Sequence, residues 1–221
     1  MSYEATRTRV ETYFDQTATR SWERLTSDAP VSGIRATVRA GRDRMREVLT
    51  SELPRDLRGA RILDAGCGTG ALSFELAARG AEVVGVDISP QLIEIANRRR
   101  PILVAGSLTL SAGDMLNPAL GRFDHVVAMD SLIYYTAEDI GRILDGFAPR
   151  IDGNMAFTVA PRTPLLIAMW RVGKLFPRAD RSPTMVPHRT SQVVKATAGQ
   201  VREIERVSSG FYISQALEFR P

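Results

Sequence analysis

The sequence predicts an α/β fold built on a mostly parallel sheet, and three observations predict it. From Arg61 onward, short apolar runs alternate with amphipathic stretches at close spacing, the pattern of strands joined by crossover helices. A glycine-rich turn, Gly66-Cys67-Gly68-Thr69-Gly70, stands between the first such strand and the first helix. Near the C-terminus two apolar runs are separated only by Ser208-Ser209-Gly210, which makes a hairpin and so an antiparallel edge.

The elements follow in order. Val10, Tyr13, Phe14, Trp22 and Leu25 recur at helical spacing, and Val31, Ile34, Val38, Met45, Val48 and Leu49 form an amphipathic stripe that Pro54 ends. Residues 1–56 are therefore expected to be a helical arm or lid, and residues 57–221 the sheet-bearing core. Within the core the strands are expected at Arg61–Asp64, Glu82–Val86, Leu108–Ala112, Phe123–Met129 and Asn154–Val159. The helices between them are expected at Gly70–Arg79, Pro90–Arg100 and Ala137–Ala148, the second with proline in its first turn. Thr163–Phe176 reads as a helix and Lys174–Pro187 as a loop, so 163–187 is an insertion on the substrate side. Val201–Val207 and Phe211–Phe219 complete a sheet of seven strands with helices on both faces.

Composition agrees and excludes alternatives. The chain has 221 residues, 44% hydrophobic and 24% charged, as a globular domain with a sizeable core should. No apolar run approaches the roughly 18 residues of a membrane span, and the acidic first thirty residues do not resemble a secretory leader, so the cytoplasm is the expected compartment. One cysteine, Cys67, excludes an internal disulfide framework and a cysteine-rich zinc site, and no metal site is expected. The net charge is +4, and of 29 basic residues only Lys174 and Lys195 are lysines. The arginines are scattered and do not alternate with aromatics, which disfavours nucleic acid. Arginine does suit an anionic ligand, through its fork-shaped guanidinium.

The glycine turn carries the chemistry. Such a turn lets the backbone approach a ligand closely and presents free N–H groups at a helix start. Asp87, at the end of the second strand, is placed to take ribose hydroxyls, so the ligand is an adenosine cofactor. Gly66, Gly68 and Ala71 loosely match a dinucleotide fingerprint, which keeps NAD open. Three features favour S-adenosylmethionine: the alternate spacing of Gly66, Gly68 and Gly70; Asp64, two residues before the first glycine, where it can meet an ammonium group but would repel a diphosphate; and Gly113-Asp114-Met115 after the third strand, an acid for the adenine amino group beside an apolar cover.

These residues together resemble the class I S-adenosylmethionine-dependent methyltransferases, whose Rossmann-like seven-stranded sheet has its last strand antiparallel. The resemblance implies that Asp64, Ala65, Gly66, Cys67, Gly68 and Gly70 bind the methionine part. It implies Asp87 and Ile88 for the ribose, Gly113, Asp114 and Met115 for the adenine, and Met129 and Asp130 on the methyl side. Further blocks narrow the likeness: VETYFDQTATRSWERL (Val10–Leu25), VSGIRATVRAGRDRM (Val31–Met45), FDHVVAMDSLIYY (Phe123–Tyr135), FTVAPRTP (Phe157–Pro164), GKLFPRADRSP (Gly173–Pro183) and GFYISQALE (Gly210–Glu218). Over nearly the whole chain they resemble the magnesium-protoporphyrin IX methyltransferases of bacteriochlorophyll synthesis, in their purple-bacterial branch. Members from oxygenic phototrophs have Leu-Ile-His-Tyr where this chain has Leu132-Ile133-Tyr134-Tyr135, and Tyr in place of Thr26.

The implied reaction esterifies one porphyrin propionate. A propionate is already ionised at neutral pH, like a glutamate side chain, so no general base is required. Tyr134 and Asp130 remain the candidates for direct participation. His125, beside Asp124 in a strand, reads as structural, and His188 as solvated. An apolar slot with a cationic rim should take the porphyrin. Phe14 and Trp22 are candidate walls, Arg178 and Arg181 candidate partners of the unreacted propionate, and Arg35, Arg39 and Arg42 weaker ones. Tyr13 is expected at the methionine carboxylate or closing over the cofactor. The family further implies handover from the large subunit of magnesium chelatase. The segment 165–176, rich in Leu, Met and Trp with Arg171 and Lys174, could rest on the inner membrane surface as a peripheral contact. Two alternatives stay open: a methyltransferase acting on another small acid or a phenol, and a non-catalytic cofactor- and porphyrin-binding assistant of the chelatase.

Overall fold

The computed structural model describes residues 3–15, 19–26, 33–164, 166–167 and 183–221. Three helices come first: α1 (Tyr3–Tyr13), α2 (Thr19–Leu25) and α3 (Gly33–Ser51). The core follows as β1 (Arg61–Ala65), α4 (Ala71–Ala78), β2 (Glu82–Asp87), α5 (Pro90–Arg98), β3 (Ser107–Ala112), β4 (Phe123–Ala128), α6 (Ala137–Phe147) and β5 (Ile151–Val159). It ends with α7 (Thr190–Ala196), β6 (Gln200–Ser209) and β7 (Tyr212–Arg220).

The seven strands lie in the order β3-β2-β1-β4-β5-β7-β6. β1 to β5 are mutually parallel, and β7 inserts antiparallel between β5 and β6. Only β7 therefore runs against the rest. The order reverses between β1 and β4, and such a switch point leaves a crevice beyond the carboxyl ends of the strands.

Strand alternation divides the core in two. On one face Leu63, Val126, Met155, Phe157 and Phe219 pack with Ile140, Leu144 and Phe147 of α6. On the other, Ile62, Val127, Ala156 and Ala216 pack with Leu72 and Leu76 of α4 and with Met45, Val48 and Leu49 of α3. The second half of the expected arm is thus part of the helix layer that covers the sheet. Ile34, expected on its apolar stripe, is 60% exposed, as the whole first turn of α3 is exposed.

Local chemistry sets the element ends. Ser89 caps α5 by accepting from Leu92 N–H, with Pro90 next, and Thr136 caps α6 by accepting from Asp139 N–H. α7 forms in a stretch for which no element was expected, burying Val193 completely. One sequence expectation changes. His188, expected to be solvated, is 4% exposed. Its backbone N–H donates to Ala160 O and its Nε2 to Tyr135 O, each at 2.8 Å, and burial pushes its pKa down. His125 is structural as expected, donating from Nδ1 to Asn154 Oδ1 at 2.6 Å.

Candidate functional site

A cleft of about 1000 Å³, counting its open mouth, lies over the ends of β1, β2, β3 and β4 at the switch point. Its floor is the glycine turn. Gly66, Gly68 and Gly70 all have positive φ, which favours glycine. A Cβ on Gly66 would come within 2.3 Å of Ser131 Cβ, and Ser131 is itself fixed by donating to Ala65 O at 2.7 Å.

Two buried carboxylates face the cleft. Asp64, the penultimate residue of β1, accepts from Ser73 Oγ at 2.6 Å. Burial raises its pKa to about 7, with Asp87 adding to the rise and the Ser73 hydrogen bonds opposing it. Asp87 ends β2, taking Gly68 N–H on one oxygen at 2.8 Å and Ser89 N–H on the other at 2.9 Å. Burial raises it to about 6 against those two N–H donors, with Asp15 contributing. Carboxylates so far removed from water favour a ligand that brings its own positive charge and hydroxyl donors. These two acceptors fit the ammonium and ribose hydroxyls of S-adenosylmethionine and offer no counter-charge to a diphosphate.

The third acid, Asp114, is clasped from above by α1. Tyr3 Oη donates to Oδ1 at 2.7 Å, Arg7 to Oδ2 at 2.7 Å, and Leu116 N–H to Oδ1 at 2.8 Å. Burial pushes its pKa up, but Leu116, Tyr3 and Arg7 outweigh that and lower it. Tyr3 also stacks on Tyr135 with centroids 5.3 Å apart. The far end of α1 is held by apolar contact, Val10 and Phe14 against Leu92 and Ile95. α2 is tied down by Thr69, whose hydroxyl donates to Thr26 Oγ1 at 2.9 Å, and by Arg99, which donates to Thr26 O and Glu23 O.

Beyond the end of β4 the cleft meets a second cavity of about 610 Å³. Arg42, Asp130 and Tyr134 line both. Asp130 has φ 57°, pairs with Arg42, and accepts from Tyr212 Oη at 3.0 Å and Thr158 Oγ1 at 3.3 Å. The rest of the second cavity is mainly apolar, with Val38, Ile133, Leu166, Met185, Phe211 and Ile213. Burial strongly raises the pKa of Tyr134, with Asp130 and Tyr13 adding to the rise, so its phenol stays neutral.

Among the expected cofactor residues, Asp64, Gly66, Cys67, Gly68, Asp87, Ile88, Gly113, Asp114, Met115, Met129 and Asp130 line the cleft. Ala65, Gly70 and Tyr13 do not. Ala65 serves as the acceptor for Ser131, Gly70 packs against Phe74, and Tyr13 turns edge-on to Phe14, centroids 5.3 Å apart. Phe14, expected at the substrate, lies in the cofactor cleft, its ring 6.3 Å from that of Tyr134. Arg39 instead donates to Leu25 O and Arg24 O, both at 3.0 Å, clamping α2 to α3. Arg35 is exposed on α3 and lines neither cavity. Arg178, Arg181 and the side chain of Trp22 lie outside the described residues. Sequence reasoning missed Tyr3, Arg7, Ser131 and Tyr212. Only Ser131, directly after Asp130, carried a local signal. Among the described residues no group of three or more His, Cys, Asp or Glu side chains could hold a metal ion, and no helix is long and apolar enough to cross a membrane.

Comparisons with known proteins place this geometry. A family model described as magnesium-protoporphyrin IX methyltransferase C-terminus matches residues 128–221, and one described as methyltransferase domain matches residues 62–150. The chain is 56% identical over 220 residues to the magnesium-protoporphyrin O-methyltransferase of Rhodobacter capsulatus, covering 99% of this chain and 98% of that one. The crystal structure of magnesium protoporphyrin IX methyltransferase from Synechocystis PCC 6803 with bound SAH superposes with TM-score 0.80 at 29% identity, covering 97% of this chain and 100% of that one. The same enzyme with bound SAM gives TM-score 0.77 at 26% identity, with coverages of 98% and 97%. A relative of this identity over its whole length, together with the family model and the shared fold, means that the chain belongs to the magnesium-protoporphyrin O-methyltransferase family.

Proposed function

We propose that the chain transfers a methyl group from S-adenosylmethionine to a propionate carboxylate of magnesium-protoporphyrin IX, giving the monomethyl ester in bacteriochlorophyll synthesis. The observation that carries this reading is the meeting of two unlike cavities. An acid-floored cleft suited to a cationic adenosine cofactor shares Arg42, Asp130 and Tyr134 with an adjoining apolar cavity suited to a flat hydrophobic acid.

Bound S-adenosylmethionine would supply a methyl group on a positively charged sulfur, which leaves as a neutral sulfide. The substrate carboxylate is ionised at neutral pH, so the chain has no proton to remove. Its work is placement and exclusion of water. Asp64 and Asp87 fix one end of the cofactor, and α1, pinned through Tyr3 and Arg7 to Asp114, covers the other. Tyr134, neutral and half-buried, lines both cavities and can act through a hydrogen bond or as a steric stop. The reading extends to work in the cytoplasm and to receipt of the porphyrin from the large subunit of magnesium chelatase. It also extends to contact of residues 165–176, mostly outside the described residues, with the inner membrane surface.

The test is turnover of magnesium-protoporphyrin by the purified chain with S-adenosylmethionine, followed by chromatography. A monomethyl ester is expected. Methylation of a phenolic quinone precursor in its place, or binding of both ligands with no product, would overturn the reading in favour of another methyltransferase or of a chelatase assistant.

A further inference from the structure

We propose that Arg42 is the anchor for the carboxylate that becomes methylated, and that Asp130 and Tyr212 are positioning residues that aim Arg42 while limiting its grip. This rests on the functional reading above. Among the described residues Arg42 is the cation that lines the second cavity, and it lines the first as well. Its side chain is 18% exposed and that of Asp130 8%. In so dry a place the attraction between opposite charges is much stronger than on a surface, and an arginine left without an anion there would be costly.

The pair is built with care. Asp130 holds a left-handed backbone, uncommon outside glycine, which persists where surrounding structure enforces it. The enforcement is visible: its backbone N–H donates to Thr158 Oγ1 at 2.7 Å, and Tyr212 Oη donates to its carboxylate at 3.0 Å. Tyr212 reaches that point because Gly41, one residue before Arg42, has no side chain. A Cβ on Gly41 would stand 2.6 Å from Tyr212 Cδ1. The one helix thus supplies both the cation and the gap through which its partner's support arrives.

A substrate carboxylate entering from the apolar cavity would share Arg42 with Asp130. The shared guanidinium orients the anion, and the neighbouring negative charge prevents the full two-pronged grip that would neutralise both of its oxygens. The reacting oxygen keeps its electron density. The arrangement selects a carboxylate over a phenol, which would bring Arg42 no charge.

The experiment is fluorescence titration of the cofactor-free protein with magnesium-protoporphyrin and with its dimethyl ester, alongside initial rates with S-adenosylmethionine. Arg42→Met should weaken binding of the diacid by about thirtyfold or more, the usual cost of deleting one partner of a buried charge pair. It should leave the diester within about twofold, and Arg42→Lys should restore part of the loss. The double variant Arg42→Met/Asp130→Asn, which strands no charge, should show the same loss of preference for the diacid. Asp130→Asn alone should lower KM and kcat together, because Arg42 then holds the anion too well. Equal loss of diacid and diester binding in Arg42→Met, or Asp130→Asn weakening the diacid as Arg42→Met does, overturns the assignment while leaving the function standing. A wild-type chain that does not methylate the porphyrin overturns both.

Discussion

The two cavities that meet at Asp130 are made in opposite ways. The floor of the cofactor cleft is acidic and local: Asp64, the glycine turn and Asp87 fall within one strand–helix–strand unit, 24 residues from Asp64 to Asp87 inclusive. The second cavity is apolar and long-range, drawing Val38 and Arg42 from α3, Ile133 and Tyr134 from beyond β4, and Phe211 to Ser214 from the last hairpin. A site for a cofactor common to many proteins can be encoded in one short unit. A site for one large substrate is assembled from segments that share nothing but their destination. The two halves should therefore respond to different perturbations.

The sharpest separation is expected from Asp64→Asn. It removes the counter-charge for the cofactor's ammonium, and SAH affinity measured by calorimetry should fall by about a few hundred-fold or more, in line with the roughly 3–5 kcal/mol cost of breaking a buried ion pair. Binding of magnesium-protoporphyrin should not change. The free protein should also become more heat-stable. A carboxylate with its pKa raised from 3.8 to about 7 opposes folding at neutral pH, by up to roughly 4 kcal/mol at 1.36 kcal/mol per unit. A variant that loses porphyrin and SAH binding in parallel would show that the two halves are one site.

The same carboxylates make the cleft half alone sensitive to pH. Asp64 and Asp87 have raised pKa values of about 7 and about 6 in the free protein, and the ligand needs both ionised. Binding therefore releases protons below pH 7. SAH affinity should be full at pH 8 and fall on going to pH 6 by about tenfold from Asp64 and a further twofold from Asp87. For the free fold the sign is opposite: the folded chain holds more protons than the unfolded one between the two sets of pKa values, so its stability falls as pH rises through that window. The thermal shift produced by SAH should accordingly be larger at pH 8 than at pH 6. A flat affinity profile across that range would remove the two acids from the cofactor contact.

What the sequence made legible follows the same division. β1 to β4 are found within one residue of where apolar alternation puts them, and the glycine turn and the acids at the ends of β1, β2 and β3 lie in one cleft, because period and punctuation are local properties. β5 begins three residues early, since Gly153 looks like a breaker yet lies where a Cβ would sit 2.7 Å from Asp124 O. α7 escapes notice because its seven residues bury a single hydrophobic side chain. Arg35, Arg39 and Arg42 share one helical face in the sequence, and nothing local says which turn meets the sheet end. That is decided by where Tyr212 crosses α3. The clasp of Tyr3 and Arg7 on Asp114 is likewise a meeting of residues more than a hundred positions apart.

The crossing of Tyr212 and α3 gives the mildest test of the comparison, and the one aimed at the substrate half. Alanine in place of glycine inside a helix normally stabilises by about 1 kcal/mol. At Gly41 the added Cβ lies within 3.0 Å of three Tyr212 atoms, so the ring must move, and overpacking of that kind costs about 1–3 kcal/mol. Gly41→Ala should thus lower the melting temperature slightly instead of raising it. The displaced ring takes its hydroxyl away from Asp130, and a cofactor held chiefly through Asp64, Asp87 and α1 should sense this little. Affinity for magnesium-protoporphyrin should fall a few-fold while SAH affinity holds, the mirror image of Asp64→Asn. If the variant is more stable than the parent and binds the porphyrin as well, Tyr212 does not shape the substrate cavity from this position.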